Sequence, residues 1–211
     1  MLRYIRWSAY TLIVVILVAW AAIWRYPNLL GGTVQTAISG VAGLAVPAGV
    51  SVGGPFALTD TNGHAVTDAS YRGRWMLVYF GYTFCPDVCP TELQAVAAAL
   101  DKLGPDAAKI APLFITVDPE RDTVAALADY VKLFDERLIG LTGTPDQISA
   151  AARAYRVYYA KATPKDSSSY LMDHSSFLYL MGPDGTFRAL FRQGTSPQDL
   201  ADGIRARMAA S

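Results

Sequence analysis

Tyr79-Phe80-Gly81-Tyr82-Thr83-Phe84-Cys85-Pro86-Asp87-Val88-Cys89-Pro90 holds both cysteines of this 211-residue chain. The apolar run Trp75–Phe80 leads into it and reads as a buried strand. Behind it, Leu93, Val96, Ala97, Leu100 and Leu103 recur at helical spacing, which predicts a helix over Thr91–Leu103. Both thiols therefore fall at a strand-to-helix junction, where a loop carries chemistry on a rigid scaffold. Pro90 suits the first helical position, because it lacks only an N–H that would be unpaired there. Cys89 then lies near the N-cap, where free N–H groups and the helix dipole favour a thiolate.

Working outward, Phe56–Thr59 and His64–Val66 flank Asp60-Thr61-Asn62-Gly63 and predict a hairpin. After Gly104-Pro105 stops the first helix, Pro112–Val117 predicts a second buried strand. Val124, Leu127, Tyr130, Val131 and Phe134 mark another helix, Leu138–Leu141 a short strand, and Thr144-Pro145 the start of a helix through Ala154. Val157–Ala160 is strand-like, and Lys161–Asp173 is polar and reads as a long loop. Ser175–Met181, the turn Gly182-Pro183-Asp184-Gly185 and Phe187–Phe191 predict a hairpin, with a last helix over Pro197–Met208. Strands alternating with helices predict an α/β domain whose mixed, mostly parallel sheet has helices on both faces.

The chain is 52% hydrophobic and 17% charged, so part of its apolar excess is expected in one segment. Trp7–Trp24 carries no charge; about 18 residues at about 1.5 Å rise span about 27 Å, enough to cross a hydrocarbon core. Trp7, Tyr10, Trp20, Trp24 and Tyr26 lie mostly near its ends, as interfacial aromatics do. The alternative is a cleaved signal peptide with Ala19-Trp20-Ala21 as the small-x-small site, but the apolar run is longer than a usual h-region. Arg3 and Arg6 precede the run and place the N-terminus in the cytoplasm by the positive-inside rule. Pro27–Gly54 has no charge and no sustained period, and reads as a tether. The expected divisions are an anchor at 1–26, a tether at 27–53 and a folded domain at 54–211.

Eighteen basic and 18 acidic residues cancel, which gives no electrostatic footprint for nucleic acid. Two cysteines and two histidines exclude a four-cysteine zinc or iron–sulfur site within one chain, and the spacing differs from the C-x-x-C-H of covalent haem. A structural disulfide would close only a tiny loop, with little entropic benefit. Two uses stay open on spacing alone. One is thiol–disulfide exchange, with C-x-x-x-C where thioredoxin-like redox loops have C-x-x-C. The other is a soft-metal site, since two thiolates plus an imidazole suit Cu(I) and also hold Cu(II). His64 follows the Asn-Gly turn and reads as hairpin surface. His174 stands at a loop-to-strand edge and is the candidate third ligand. Asp118 and Asp122 read as helix caps, Asp173 either as a group that orients His174 or as a solvated side chain, Met172 as packing, and Tyr82 and Phe84 as a shield against water.

Gly81-Tyr82-Thr83-Phe84-Cys85-Pro86-Asp87-Val88-Cys89-Pro90, Val117-Asp118-Pro119-Glu120-Arg121-Asp122-Thr123, Asp173-His174-Ser175 and Gly182-Pro183-Asp184-Gly185 occur in the order and separation of one family. By these motifs the chain resembles the Sco/SenC family, membrane-anchored copper chaperones of cytochrome c oxidase assembly, over roughly Val52–Met208, with no departure at the motifs. The resemblance implies a thioredoxin-like fold behind an N-terminal transmembrane helix. It implies copper, as Cu(I), Cu(II) or both, on Cys85, Cys89 and His174, delivered to the dinuclear copper site of cytochrome c oxidase subunit II. That is a metallochaperone rather than an enzyme. It also implies a second role for Cys85 and Cys89, as a redox pair in a thiol–disulfide oxidoreductase that keeps the cysteines of that site reduced. Expected partners are subunit II, another copper chaperone and a thioredoxin-like reductant, with no nucleic acid. The expected location is the inner (cytoplasmic) membrane, single-pass, with the C-terminal domain on the periplasmic side.

Overall fold

A computed structural model describes residues 51–163 and 169–210. The expected anchor at 1–26 and most of the expected tether at 27–53 lie outside the described residues. Among the described residues, no helix is long and apolar enough to cross a membrane. Gly53 already joins the domain: its N–H donates to the Ala154 carbonyl at 2.9 Å, and its φ of +86° with Met181 packed against it leaves no room for a side chain.

Strands β1 (Ala57–Asp60) and β2 (Ala65–Thr67) form the expected hairpin. Asp60 closes its turn by accepting the N–H groups of Asn62 and His64, each at 2.8 Å. Next come β3 (Trp75–Gly81), α1 (Val88–Leu103), β4 (Ile110–Thr116), α2 (Val124–Lys132), β5 (Ile139–Thr142) and α3 (Pro145–Ala154). The C-terminal part holds β6 (Tyr159–Ala162), β7 (Leu171–His174), β8 (Phe177–Met181), β9 (Phe187–Arg192) and α4 (Pro197–Ala209). Hydroxyls start three of the helices: Thr123, Thr144 and Ser196 each accept a backbone N–H of the first turn.

Seven strands form one sheet in the order β2-β1-β5-β4-β3-β8-β9. Only β3–β4 and β4–β5 are parallel, so the sheet is mixed but not mostly parallel as expected. The reason lies in the connections. Crossovers through α1 and α2 force parallel neighbours, whereas the tight turns of β1–β2 and β8–β9 join antiparallel ones. Every residue of β3 and β4 is buried, as parallel central strands require. Helix α1 packs on α4, α2 on β5 and α3 on β1.

Two expectations change. Helix α1 begins at Val88, not Thr91, so Cys89 and Pro90 both lie inside its first turn. Proline is tolerated there because first-turn N–H groups have no intrahelical acceptor. The segment Lys161–Asp173 is not simply a loop either. β6 and β7 pair as a separate two-stranded sheet, from Tyr159↔His174 to Ala162↔Leu171. A surface ribbon satisfies its backbone by mutual pairing whatever side chains face solvent, which hid it behind polar composition.

The seat of α2 on β5 can be tested at Gly140, where an added Cβ would lie 2.7 Å from Leu127 Cγ and 2.9 Å from Thr61 Cγ2. Gly140→Ala is expected to cost about 1–3 kcal/mol by overpacking. Urea unfolding should show a lower midpoint at unchanged slope; an unchanged midpoint would contradict this packing.

Candidate metal centre

The chemistry gathers at the carboxyl ends of the central parallel strands, the usual place for a site in an α/β sheet. Cys85 lies in the loop leaving β3, and Cys89 is the second residue of α1, buried beneath that loop. His174 ends β7. The three donor atoms lie within 4.8 Å of one another, with Cys89 Sγ 3.4 Å from His174 Nε2. The structure thus brings together all three candidate residues. Gly81 makes the close approach possible: a Cβ there would stand 2.9 Å from Cys89 Sγ and 2.7 Å from a Phe114 ring carbon. Beside the three donors opens a cavity of about 260 Å³, lined in part by Tyr82, Pro86 and Met172.

The hydrogen bonds set the state of each donor. The Ser175 carbonyl lies 3.2 Å from His174 Nδ1 and can only accept, so Nδ1 donates to it and Nε2 faces the sulfurs. Ser175, not the exposed Asp173, is therefore the group that orients His174. Cys85 Sγ accepts the Cys89 backbone N–H at 3.3 Å, at the positive end of α1. A hydrogen bond from the Cys89 thiol is the main cause holding the Cys85 thiol down at about 3, reinforced by His174 and by backbone N–H groups. The same hydrogen bond, together with burial, pushes the Cys89 thiol up. The favoured thiolate is thus Cys85, whereas the junction alone pointed to Cys89. Tyr79 completes the floor, donating its hydroxyl to Cys89 Sγ at 3.8 Å.

Among the residues singled out around the site, some change role. Neither Asp118 nor Asp122 caps α2, because Thr123 does. Asp122 is fully buried and accepts the Thr83 N–H at 3.1 Å and the hydroxyls of Thr83 and Thr116, each at 2.6 Å. It ties the cysteine loop to the end of β4. Asp118 opens a turn with Pro119 second, and its carboxylate grips Arg121 and the Tyr170 hydroxyl. Tyr82 is buried edge-on to His174 and shields the site, but Phe84 points outward, 56% exposed. Met172 is buried, and His64 is hairpin surface paired with Asp60 at 3.6 Å. Sequence reasoning gave no role to Thr83, Arg121 or Tyr170. One signal for Asp122 was available: with Thr123 as N-cap, an adjacent aspartate has no capping work to do.

The fold and the site define a thioredoxin-like domain with a paired thiol and an imidazole at one strand-to-helix junction. A sequence model for SCO1/SenC matches residues 46–209, and the chain belongs to that family. Over 159 residues it is 46% identical to Protein SCO1 homolog, mitochondrial, of Mus musculus, covering 74% of this chain and 56% of that protein. Over 162 residues it is 45% identical to the Homo sapiens protein of the same name, covering 74% and 53%. The match thus spans little more than half the length of these relatives. Among solved structures, Arabidopsis thaliana ScoI with copper bound superposes with a TM-score of 0.72 at 45% identity, covering 76% of this chain and 99% of that one. Bradyrhizobium japonicum ScoI with copper bound gives 0.68 at 46%, covering 74% and 99%.

The unequal thiols predict unequal reactivity. Limiting iodoacetamide should label Cys85 first, at a rate that stays flat on lowering the pH until the fold itself is lost, because its thiolate persists to about pH 3. Cys89→Ala removes the hydrogen bond that stabilises this thiolate, so the titration should move up toward the ordinary value of about 8.5. Peptide mapping that finds Cys89 labelled first would contradict the assignment.

Proposed function

We propose that this chain is a copper chaperone of cytochrome c oxidase assembly. It takes copper on Cys85, Cys89 and His174 and passes it to the dinuclear copper site of oxidase subunit II. The observation that carries this reading is the gathering of two sulfurs and an imidazole nitrogen within 4.8 Å of one another. A metal about 2.3 Å from each of three donors in a plane needs them about 4 Å apart, so small shifts suffice to close the site. The donor set is soft and suits copper. Copper-bound relatives at 45% and 46% identity support the same cargo. The uncharged run Trp7–Trp24 supports a single-pass anchor in the cytoplasmic membrane, with the domain on its periplasmic side.

Each residue then has a task in the transfer. Cys85, half-exposed and already a thiolate, is the first donor an incoming ion meets. Cys89 gives up its proton as the metal arrives, so loading releases a proton and weakens as pH falls. Another copper chaperone is the expected donor, and ligand exchange at the open cavity is the expected route of release.

A second reading is favoured by the same pair as nucleophile and resolving thiol. The Cys85 thiolate would attack a partner disulfide and expel one partner thiolate. Cys89, deprotonated, would then attack Cys85 Sγ and release the second, leaving a Cys85–Cys89 disulfide and a partner reduced by two electrons. A thioredoxin-like reductant would reset the pair.

The two readings part at His174. His174→Ala should abolish stable Cu(II) binding and its sulfur-to-copper absorption while leaving thiol exchange largely intact, whereas Cys85→Ala should abolish both. Retained Cu(II) absorption in His174→Ala would overturn the ligand assignment, and no copper uptake by the unaltered chain would overturn the chaperone reading.

A further inference from the structure

His174 reaches the sulfurs from a ribbon that is not part of the main sheet, since β6 and β7 pair only with each other. Something else must hold that ribbon beside the cysteine loop. Its entry residue, Tyr170, is gripped at three points. The Tyr170 hydroxyl donates to Asp118 Oδ1 at 2.9 Å, its carbonyl accepts from Arg121 Nη1 at 3.0 Å, and its ring lies 3.7 Å from the Arg121 guanidinium carbon. Two more rings border that guanidinium, both after β3: Phe84, in the cysteine loop, with its ring centre at 4.5 Å, and Tyr82, with its ring centre at 5.9 Å. Arg121 Nε donates to Asp118 as well, and the salt bridge is almost buried, with the two side chains 18% and 1% exposed. One planar cation therefore joins three segments that share no ladder: the cysteine loop, the turn after β4 and the histidine ribbon. Other polar ties among the described residues include the 3.4 Å contact of His174 Nε2 with Cys89 Sγ. Lys161 pairs with Glu120 at 2.7 Å on the surface, and the Tyr82 hydroxyl bonds the Met172 backbone. Exposed pairs such as Lys161–Glu120 contribute little.

We propose that Arg121 is a positioning residue that sets the gap between His174 and the two sulfurs, and so decides whether the site has two donors or three. The inference rests on the copper reading for its consequence but not for its geometry. Cys85 and Cys89 are placed by the start of α1 and by Asp122 through hydrogen bonds that do not involve Arg121, so loosening the clasp frees the imidazole while those bonds keep the thiols in place. Two thiolates alone still hold Cu(I), while Cu(II) loses its nitrogen donor. Lysine would not substitute, because a compact ammonium cannot lie flat between two rings while serving a carboxylate and a carbonyl.

The test uses the full chain in detergent, with Arg121→Met, Arg121→Lys and the milder Tyr170→Phe. Without metal, amide exchange should accelerate at β6 and β7 in both arginine variants, less so in Tyr170→Phe, with β3 and α1 unchanged. With metal, Cu(I) stoichiometry should hold while Cu(II) affinity falls about 10–100-fold, and Arg121→Lys should not restore it. Unchanged ribbon exchange in Arg121→Met, or full rescue by lysine, would overturn the clasp. Exchange that rises equally in β3 and α1 would also overturn it, showing general destabilisation instead. If the unaltered chain takes up no copper, the chaperone reading falls, while the metal-free exchange still decides the clasp.

Discussion

The carboxylate of Asp122 lies out of water between two strand ends and a loop, and the geometry of the site follows from how it is satisfied. A buried carboxylate is tolerable only when donors replace its water. Here they are the Thr83 N–H and the hydroxyls of Thr83 and Thr116. Burial still pushes its pKa up, so the hydrogen bonds offset the cost without abolishing it. If the cysteine loop lifted away, two of these donors would leave with Thr83. Each buried group stranded in this way costs about 1–3 kcal/mol, more when charged. The Asp122 carbonyl also accepts the Thr142 hydroxyl at 2.9 Å, which extends the tie to β5. The loop therefore inherits the rigidity of the central sheet, and with it the place of Cys85 over the start of α1.

The third donor has no such foundation. Its ribbon rests on the buried Met172 side chain and on the groups that grip Tyr170, while the Ser175–Tyr158 contacts close its own two strands together. Two donors lie on a loop and helix start tied to the central sheet, and the third lies on a separate ribbon. That arrangement suits cargo more than a resident cofactor. A permanent ligand set would be expected to share one scaffold, whereas a transfer site needs one bond that yields first.

The order of helices and strands, the cysteine loop and the three candidate donors were legible because each has a local signature. Buried parallel strands read as apolar runs, hydroxyls mark helix starts, and a C-x-x-x-C between strand and helix has few structural uses. What stayed hidden was non-local. The antiparallel neighbours of β3 and β5 come from opposite ends of the chain. The pairing of Tyr159 with His174 spans a polar stretch with no strand-like alternation. Arg121 carried no role and Asp122 read as a helix cap, because the partners that define them lie in segments far along the sequence, at Tyr170 and Thr83. Which sulfur is the thiolate was also out of reach, since it depends on who donates to whom once the chain has folded.

That last asymmetry bears on which use of the thiols prevails. Attack on a disulfide is fastest for a thiol whose pKa is near the ambient pH, because nucleophilicity falls along with pKa. Cys85, held at about 3, is fully ionised but a weak nucleophile, and Cys89, pushed up, is slow to resolve a mixed disulfide. Stabilising the Cys85 thiolate also stabilises the reduced pair, which makes the corresponding disulfide oxidising and the dithiol a poor reductant. For a soft metal the same features are favourable. A partly exposed thiolate captures the ion without waiting for a base, and the bond that follows provides the drive to remove the proton from Cys89. Reductase turnover would run against the hydrogen bond between the sulfurs, while metal capture uses it and then replaces it.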